Sequence, residues 1–132
     1  MCQNTCTDFT VTVTDHVVPY GEEASIDCQF TCGDECSHVE WYRSDKADIA
    51  YFHDLTGTTE DQSSKDEDFK GRLTVAVNGN HITLLINPTV WEDDTQWKCR
   101  VVKNSCTSQQ FVEDTGQLVL LGKKYFSIKA SR

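Results

Sequence analysis

Apolar and polar residues alternate with a period of two along most of the chain. Phe9-Thr10-Val11-Thr12-Val13-Thr14 puts apolar side chains on one parity and hydroxyls on the other, the signature of a half-buried strand. Ala24, Ile26, Cys28 and Phe30 oppose Ser25, Asp27 and Gln29, and Val39 and Trp41 oppose His38, Glu40 and Tyr42. Leu73, Val75 and Val77 alternate, as do Ile82, Leu84 and Ile86, while Trp97, Cys99 and Val101 oppose Gln96, Lys98 and Arg100. Gly21, Gly33-Asp34, Asn78-Gly79-Asn80 and Asn87-Pro88 punctuate these runs as turns. No long stretch follows the helical 3.6 period. Many short strands at this spacing predict an all-β fold, an antiparallel sandwich or barrel.

The chain's 132 residues suffice for one domain and not for two. Twelve Lys and Arg against 21 Asp and Glu give a net charge of −9, which argues against a nucleic-acid partner because phosphate binding needs clustered positive charge. The longest aliphatic run, Leu118-Val119-Leu120-Leu121, is far short of a membrane span. Seven cysteines indicate an oxidising, extracellular setting, and their odd number leaves one thiol without a partner in the chain. Met1-Cys2-Gln3-Asn4-Thr5 lacks the basic stub and apolar segment of a secretory signal, so Met1 reads as an added start on a trimmed ectodomain, of a membrane protein or a secreted one.

Parity puts Cys28, Trp41 and Cys99 on inward faces. Two inward cysteines on separate strands are placed to form a cross-sheet disulfide packed on an indole; the alternative is a pair of buried free thiols with Trp41 as ordinary core. Such a bridge closes a loop of about 72 residues and is worth roughly 4 kcal/mol in the chain-entropy treatment.

Cys28, then Val39-Glu40-Trp41-Tyr42-Arg43, then Asp93-Asp94-Thr95-Gln96-Trp97-Lys98-Cys99 resembles an immunoglobulin variable-type (V-set) domain. The resemblance spans about residues 8 to 130, preceded by a cysteine-bearing segment, 1 to 7. It implies a Greek-key sandwich of two antiparallel sheets with Cys28 and Cys99 as the core disulfide and Trp41 and Trp97 in the core. Phe69-Lys70-Gly71-Arg72-Leu73-Thr74-Val75 looks like the family's strand D, which implies a salt bridge from Arg72 to Asp93, with Asp94 as the alternative acceptor. The spacing from Cys28 to Cys99 leaves room for the extra C′ and C″ strands. Trp97 stands where the family has its corner tyrosine, so an indole N–H would have to donate in place of a phenol. No Phe/Trp-Gly-x-Gly follows, which argues against a rearranged antigen receptor and for a single-gene immune-type receptor or adhesion molecule.

In such a sandwich the N-terminus, the B–C loop and the F–G loop share one end. Cys2, Cys6, Cys32, Cys36 and Cys106 would therefore gather there, forming two further disulfides. The preferred element is a tie from Cys32 or Cys36 to Cys106; Cys6 is a further candidate, and Cys2 is the candidate free or interchain thiol. The Cys-x₃-Cys spacings also fit loose zinc-ligand patterns, which an oxidising setting disfavours. The expectation is of no metal and no cofactor.

V-set domains often pair through the face of strands G, F, C and C′. Its outward residues here would be Glu40, Tyr42, Lys98, Arg100 and Val102, with one or both of Tyr51 and Phe52, chemistry suited to a protein partner. Strand G is assigned to Tyr125–Ala130, which makes 104–121 a long binding loop; the alternative places it at 117–121. The acid-rich stretch from Asp54 to Arg72 reads as a mobile, solvated connection. No His-Glu-x-x-His, Gly-x-Ser-x-Gly or phosphate loop is present. The reading is a non-catalytic extracellular binding domain, monomeric or weakly dimeric. Its partner would be a protein ligand or a like domain, so a receptor ectodomain, an adhesion module and a secreted decoy are all represented.

Overall fold

A computed structural model describes residues 9–32, 36–104 and 109–122. Among the described residues ten strands form two sheets. The first sheet contains β1 (Thr10–Val13), β3 (Ala24–Thr31), β8 (His81–Ile86) and β7 (Leu73–Asn78), in the order β1-β3-β8-β7. The second contains β2 (His16–Pro19), β10 (Gln109–Leu121), β9 (Gln96–Asn104), β4 (Cys36–Arg43), β5 (Tyr51–Asp54) and β6 (Gln62–Ser63), in the order β2-β10-β9-β4-β5-β6. Every pairing is antiparallel except β2 with β10. The sequence is interleaved between the sheets, as a Greek-key sandwich requires.

The inward parities meet between the sheets. Ala24, Ile26, Cys28, Ile82, Leu84 and Ile86 from one face Val39, Trp41, Trp97, Cys99, Val101 and Leu118 from the other, all essentially without exposed surface. Each such large apolar side chain contributes about 1.5–3 kcal/mol by leaving water. Gly79 opens the two-residue turn between β7 and β8 at φ 60°, a backbone angle that side-chain-bearing residues rarely adopt.

The chain changes sheet between β1 and β2. Asp114 Oδ2 accepts the Val13 N–H at 2.8 Å, and Asp15 Oδ1 accepts the Gln117 N–H at 2.9 Å, so two carboxylates stitch this crossover to β10. Gly116 lies directly beneath it, where a Cβ would come within 2.6 Å of the Thr14 carbonyl oxygen. The bare glycine backbone is what lets the crossover approach this closely.

β10 corrects the assignment of strand G to Tyr125–Ala130. Gln109–Leu121 is one continuous strand, paired with β9 from Gln109↔Asn104 to Gln117↔Gln96 and then with β2. The long binding loop expected over 104–121 is therefore mostly sheet, and residues 125–130 lie outside the described residues.

Candidate functional site: the outward face of the six-stranded sheet

Beneath the face, Cys28 and Cys99 join β3 to β9 with their Cα atoms 6.5 Å apart, both fully buried. Trp41 and Trp97 flank this junction without exposure. The Trp97 indole N–H donates to the Asp93 carbonyl at 3.0 Å, filling the donor role of a corner phenol.

A buried charge cluster anchors one end of the sheet. The Arg43 guanidinium, 0% exposed, donates to Asp93 Oδ1 at 2.8 Å and to both oxygens of Asp45 at 2.6 and 2.9 Å. It also stacks over the Phe69 ring at 4.6 Å, and Phe69 packs edge-on against Trp97. Arg72 meets Asp93 at 2.7 and 3.2 Å and donates to the Asp68 carbonyl. Asp94 instead accepts the Leu120 N–H. Burial opposes the charge on Arg43, but its hydrogen bonds to Asp45 and Asp93 outweigh that and hold its pKa above the usual value. The same bond, from Arg43, draws the Asp45 carboxyl below its ordinary range.

On the outward side, neighbouring strands β4, β9 and β10 build a ladder of cations and aromatic rings. Lys98 lies 4.7 Å and Arg100 5.1 Å from the Tyr42 ring, and Arg100 lies 4.4 Å from Phe111. The register explains this: Tyr42 pairs Lys98 across β4–β9, and Arg100 pairs Glu113 across β9–β10. Arg100 Nε donates to Glu113 Oε2 at 2.8 Å, and Lys98 approaches the same oxygen at 3.5 Å. The Tyr42 hydroxyl donates to Glu40 Oε1 at 2.6 Å, while Glu40 Oε2 lies 2.8 Å from His38 Nε2. His38 stacks on Phe52 at 4.6 Å. Burial first, then the bond to Glu40 and its charge, push the Tyr42 phenol up to about 12, so it stays a neutral donor. Phe111 is 52% exposed at the end of this ladder.

Glu40, Tyr42, Lys98, Arg100 and Phe52 thus share one surface. Tyr51 does not: it pairs Trp41 on the inward parity, is 6% exposed, and donates its hydroxyl to Asp61. Val102 is covered as well. Phe111 and Glu113 were absent from the sequence-based set because β10 was read as loop, although Phe111, Glu113 and Thr115 alternate with Val112 and Asp114. Arg43 was also missed, and its signal was present: it shares the parity of Val39 and Trp41, and an inward arginine requires a buried counter-charge.

Cys32 bridges Cys36 with a Cα separation of 5.7 Å, which replaces the expected tie from either residue to Cys106. The two residues stand on either side of one short connection. Cys2, Cys6 and Cys106 lie outside the described residues. The acidic stretch is more committed than a solvated linker. Asp54 accepts from the Thr56 and Thr58 hydroxyls and the Thr58 and Thr59 N–H groups, and Lys46 bridges Asp66 and Asp68.

No protein-family model and no curated protein matches the chain. Solved structures do match. One is a chain from work on the structural basis of T-cell specificity and activation by the bacterial superantigen toxic shock syndrome toxin-1 (TM-score 0.65, 17% identity, covering 86% of this chain and 99% of that one). Another is a chimeric titin Z1Z2 functionalised with a KLER peptide from decorin (TM-score 0.57, 14% identity, covering 93% and 99%). At these identities the likeness is one of fold. The chain is an immunoglobulin-like β-sandwich. Its disulfides fit an extracellular or secreted domain, and no helix among the described residues is long and apolar enough to cross a membrane.

Proposed function

We propose that the chain is a V-set immunoglobulin domain, residues 8–130 behind a short cysteine-bearing segment, that serves as the ligand-recognition ectodomain of an immune-type cell-surface receptor or coreceptor. The V-type reading is supported by β2 leaving the first sheet to pair in parallel with β10, and by β5 and β6 extending the second sheet beyond β4. In the family's letters β10, β9, β4 and β5 are G, F, C and C′. The observation that carries the binding role is the ladder Lys98–Tyr42–Arg100–Phe111 on their outward face. Tyrosine, phenylalanine and arginine held rigid by a sheet are the chemistry of an interface centre.

A second reading, an adhesion module that pairs with a like domain, draws on the balance of charges on this face. Glu40 and Glu113 stand beside Lys98 and Arg100, two of each sign, which a two-fold partner can match reciprocally. A secreted decoy would use the same face. The test is staining of immune and tissue cells with the multimerised chain, before and after surface proteolysis, alongside sedimentation of the chain alone. Protease-sensitive staining by a chain that stays monomeric supports receptor recognition. Concentration-dependent dimers abolished by Tyr42→Ala support adhesion, and staining that survives proteolysis contradicts a protein ligand.

A further inference from the structure

A cleft of about 390 Å³ opens on the outward face below Tyr42, at the lower end of the size range of small-ligand sites. Its lining includes Arg43, Ser44, Lys46, Gln96, Lys98 and Arg100. Among the described residues no carboxylate lines it, although the chain carries 21 acids against 12 basic residues. Lys98 and Arg100 share one carboxylate oxygen, Glu113 Oε2, and the nearer Glu40 oxygen is 3.8 Å from Arg100 while its carboxylate already serves Tyr42 and His38. Four basic residues, Arg43, Lys46, Lys98 and Arg100, line the cleft while their carboxylate partners lie outside the lining, which makes its wall cationic on an otherwise anionic molecule.

We propose that this cleft receives a single carboxylate side chain, Asp or Glu, of the partner protein, with the Lys98 ammonium as its principal contact and Arg100 behind it. The inference rests on the outward face being the binding surface and adds the chemistry of what enters it. The surrounding acids set the limit on charge. Asp45, Asp66, Asp68, Glu40 and Glu113 lie outside the lining and repel a polyanion more than a single carboxylate, whose repulsion is offset by its short-range contact with Lys98. Ser44 and Gln96 offer polar groups to the backbone on either side of the inserted residue.

The experiment is an amide NMR titration of the isotopically labelled chain with N-acetyl-glutamate amide, its glutamine counterpart and glucuronate. The glutamate probe is expected to saturate in about the millimolar range, as an anchor of that size allows. Its shifts should centre on Ser44, Lys46, Gln96, Lys98 and Thr115, with the glutamine probe silent. Lys98→Met should weaken binding at least about tenfold, and Lys98→Arg should restore it. Equal shifts with glutamine, or shifts centred on Lys65 and Lys70, overturn the assignment; tighter binding of glucuronate gives the cleft to an acidic sugar and overturns it too. If the probes fail while partner binding still depends on Arg100 and Phe111, only the carboxylate is wrong. If partner binding ignores those residues, the reading beneath it is wrong.

Discussion

Asp93→Ala should be among the most destabilising single substitutions in this domain. The carboxylate is fully buried and accepts four hydrogen bonds: Arg43 at 2.8 Å, Arg72 at 2.7 and 3.2 Å, and the Val90 N–H at 2.8 Å. Truncation leaves the Arg43 guanidinium buried, facing only Asp45, which is about half exposed, and a long 3.5 Å contact to Asp68. Removing one partner of a buried pair costs about 3–5 kcal/mol, because the surviving charge cannot recover its hydration. A whole domain is stable by only about 5–15 kcal/mol. With an unfolding entropy of about 2.1 cal/mol/K per residue over 132 residues, the midpoint should fall by about 10–18 °C. Arg72→Ala removes only the partly exposed cation and leaves Arg43 paired, so it should cost less, about 1.5–3 kcal/mol. In an Asp93→Ala background Arg72→Ala should then cost less than it does alone, because only its bonds to the Asp68 and Pro88 carbonyls remain to be lost. Thermal and guanidinium unfolding of the four proteins measures this cycle. A loss below about 1 kcal/mol for Asp93→Ala, or additive losses in the double variant, would refute the argument that one carboxylate neutralises both arginines.

Gly116→Ala should destabilise by about 1–3 kcal/mol through its clash with the Thr14 carbonyl, an unchanged unfolding midpoint being the contrary result. Replacing Cys28 and Cys99 together should lower stability by roughly 4 kcal/mol, read by denaturant unfolding, and an unaltered midpoint would exclude that bridge as a main support. Tyr42 and Tyr51 are both pushed up to about 12, by burial first and then by their bonds to Glu40 and Asp61. Their contribution is intact below the unfolded value near 10 and is lost as pH rises through 12, so alkaline phenolate titration should show a late step coincident with falling stability. Asp45 and Glu113 are depressed, Asp45 chiefly by its bond to Arg43 and Glu113 by its bond and charge contacts with Arg100 and Lys98 despite burial. The stability they supply is present above the ordinary carboxylate range and is lost as pH falls through their lower folded values, which acid unfolding would detect as stability declining on the acid side of that range.

Strand positions were legible where one face is apolar and the other polar, as in β3, β4 and β8, because parity alone sorts those residues. β10 was hidden by its own chemistry. Asp114 sits on the inward parity, where it holds the β1 crossover instead of filling the core, and Gly116 two residues on has no side chain at all. Together they interrupt the apolar alternation that continues to Leu118 and Leu120. Losing β10 also lost Phe111 and Glu113, and with them one end of the outward ladder and the acid that pairs its arginine. The cysteines show a different limit. Parity placed Cys28 and Cys99 on inward faces, but for Cys32 and Cys36 spacing alone does not decide among partners. Tyr51 and Phe52 are adjacent, so only the register of β5 against β4 could say which of them faces outward.

The proposed function requires that binding reside on the outward face of the six-stranded sheet. The direct measurement is an alanine comparison of the two outward faces on cell staining, with folding checked by unfolding midpoint. Tyr42, Arg100 and Phe111 stand for one face, and Ser25, Asp27 and Thr83 for the other. Arg100→Ala and Phe111→Ala should each reduce binding by about tenfold or more while midpoints hold, with the opposite face silent. Loss of binding on Asp27→Ala or Thr83→Ala, with the Tyr42 face indifferent, would contradict it.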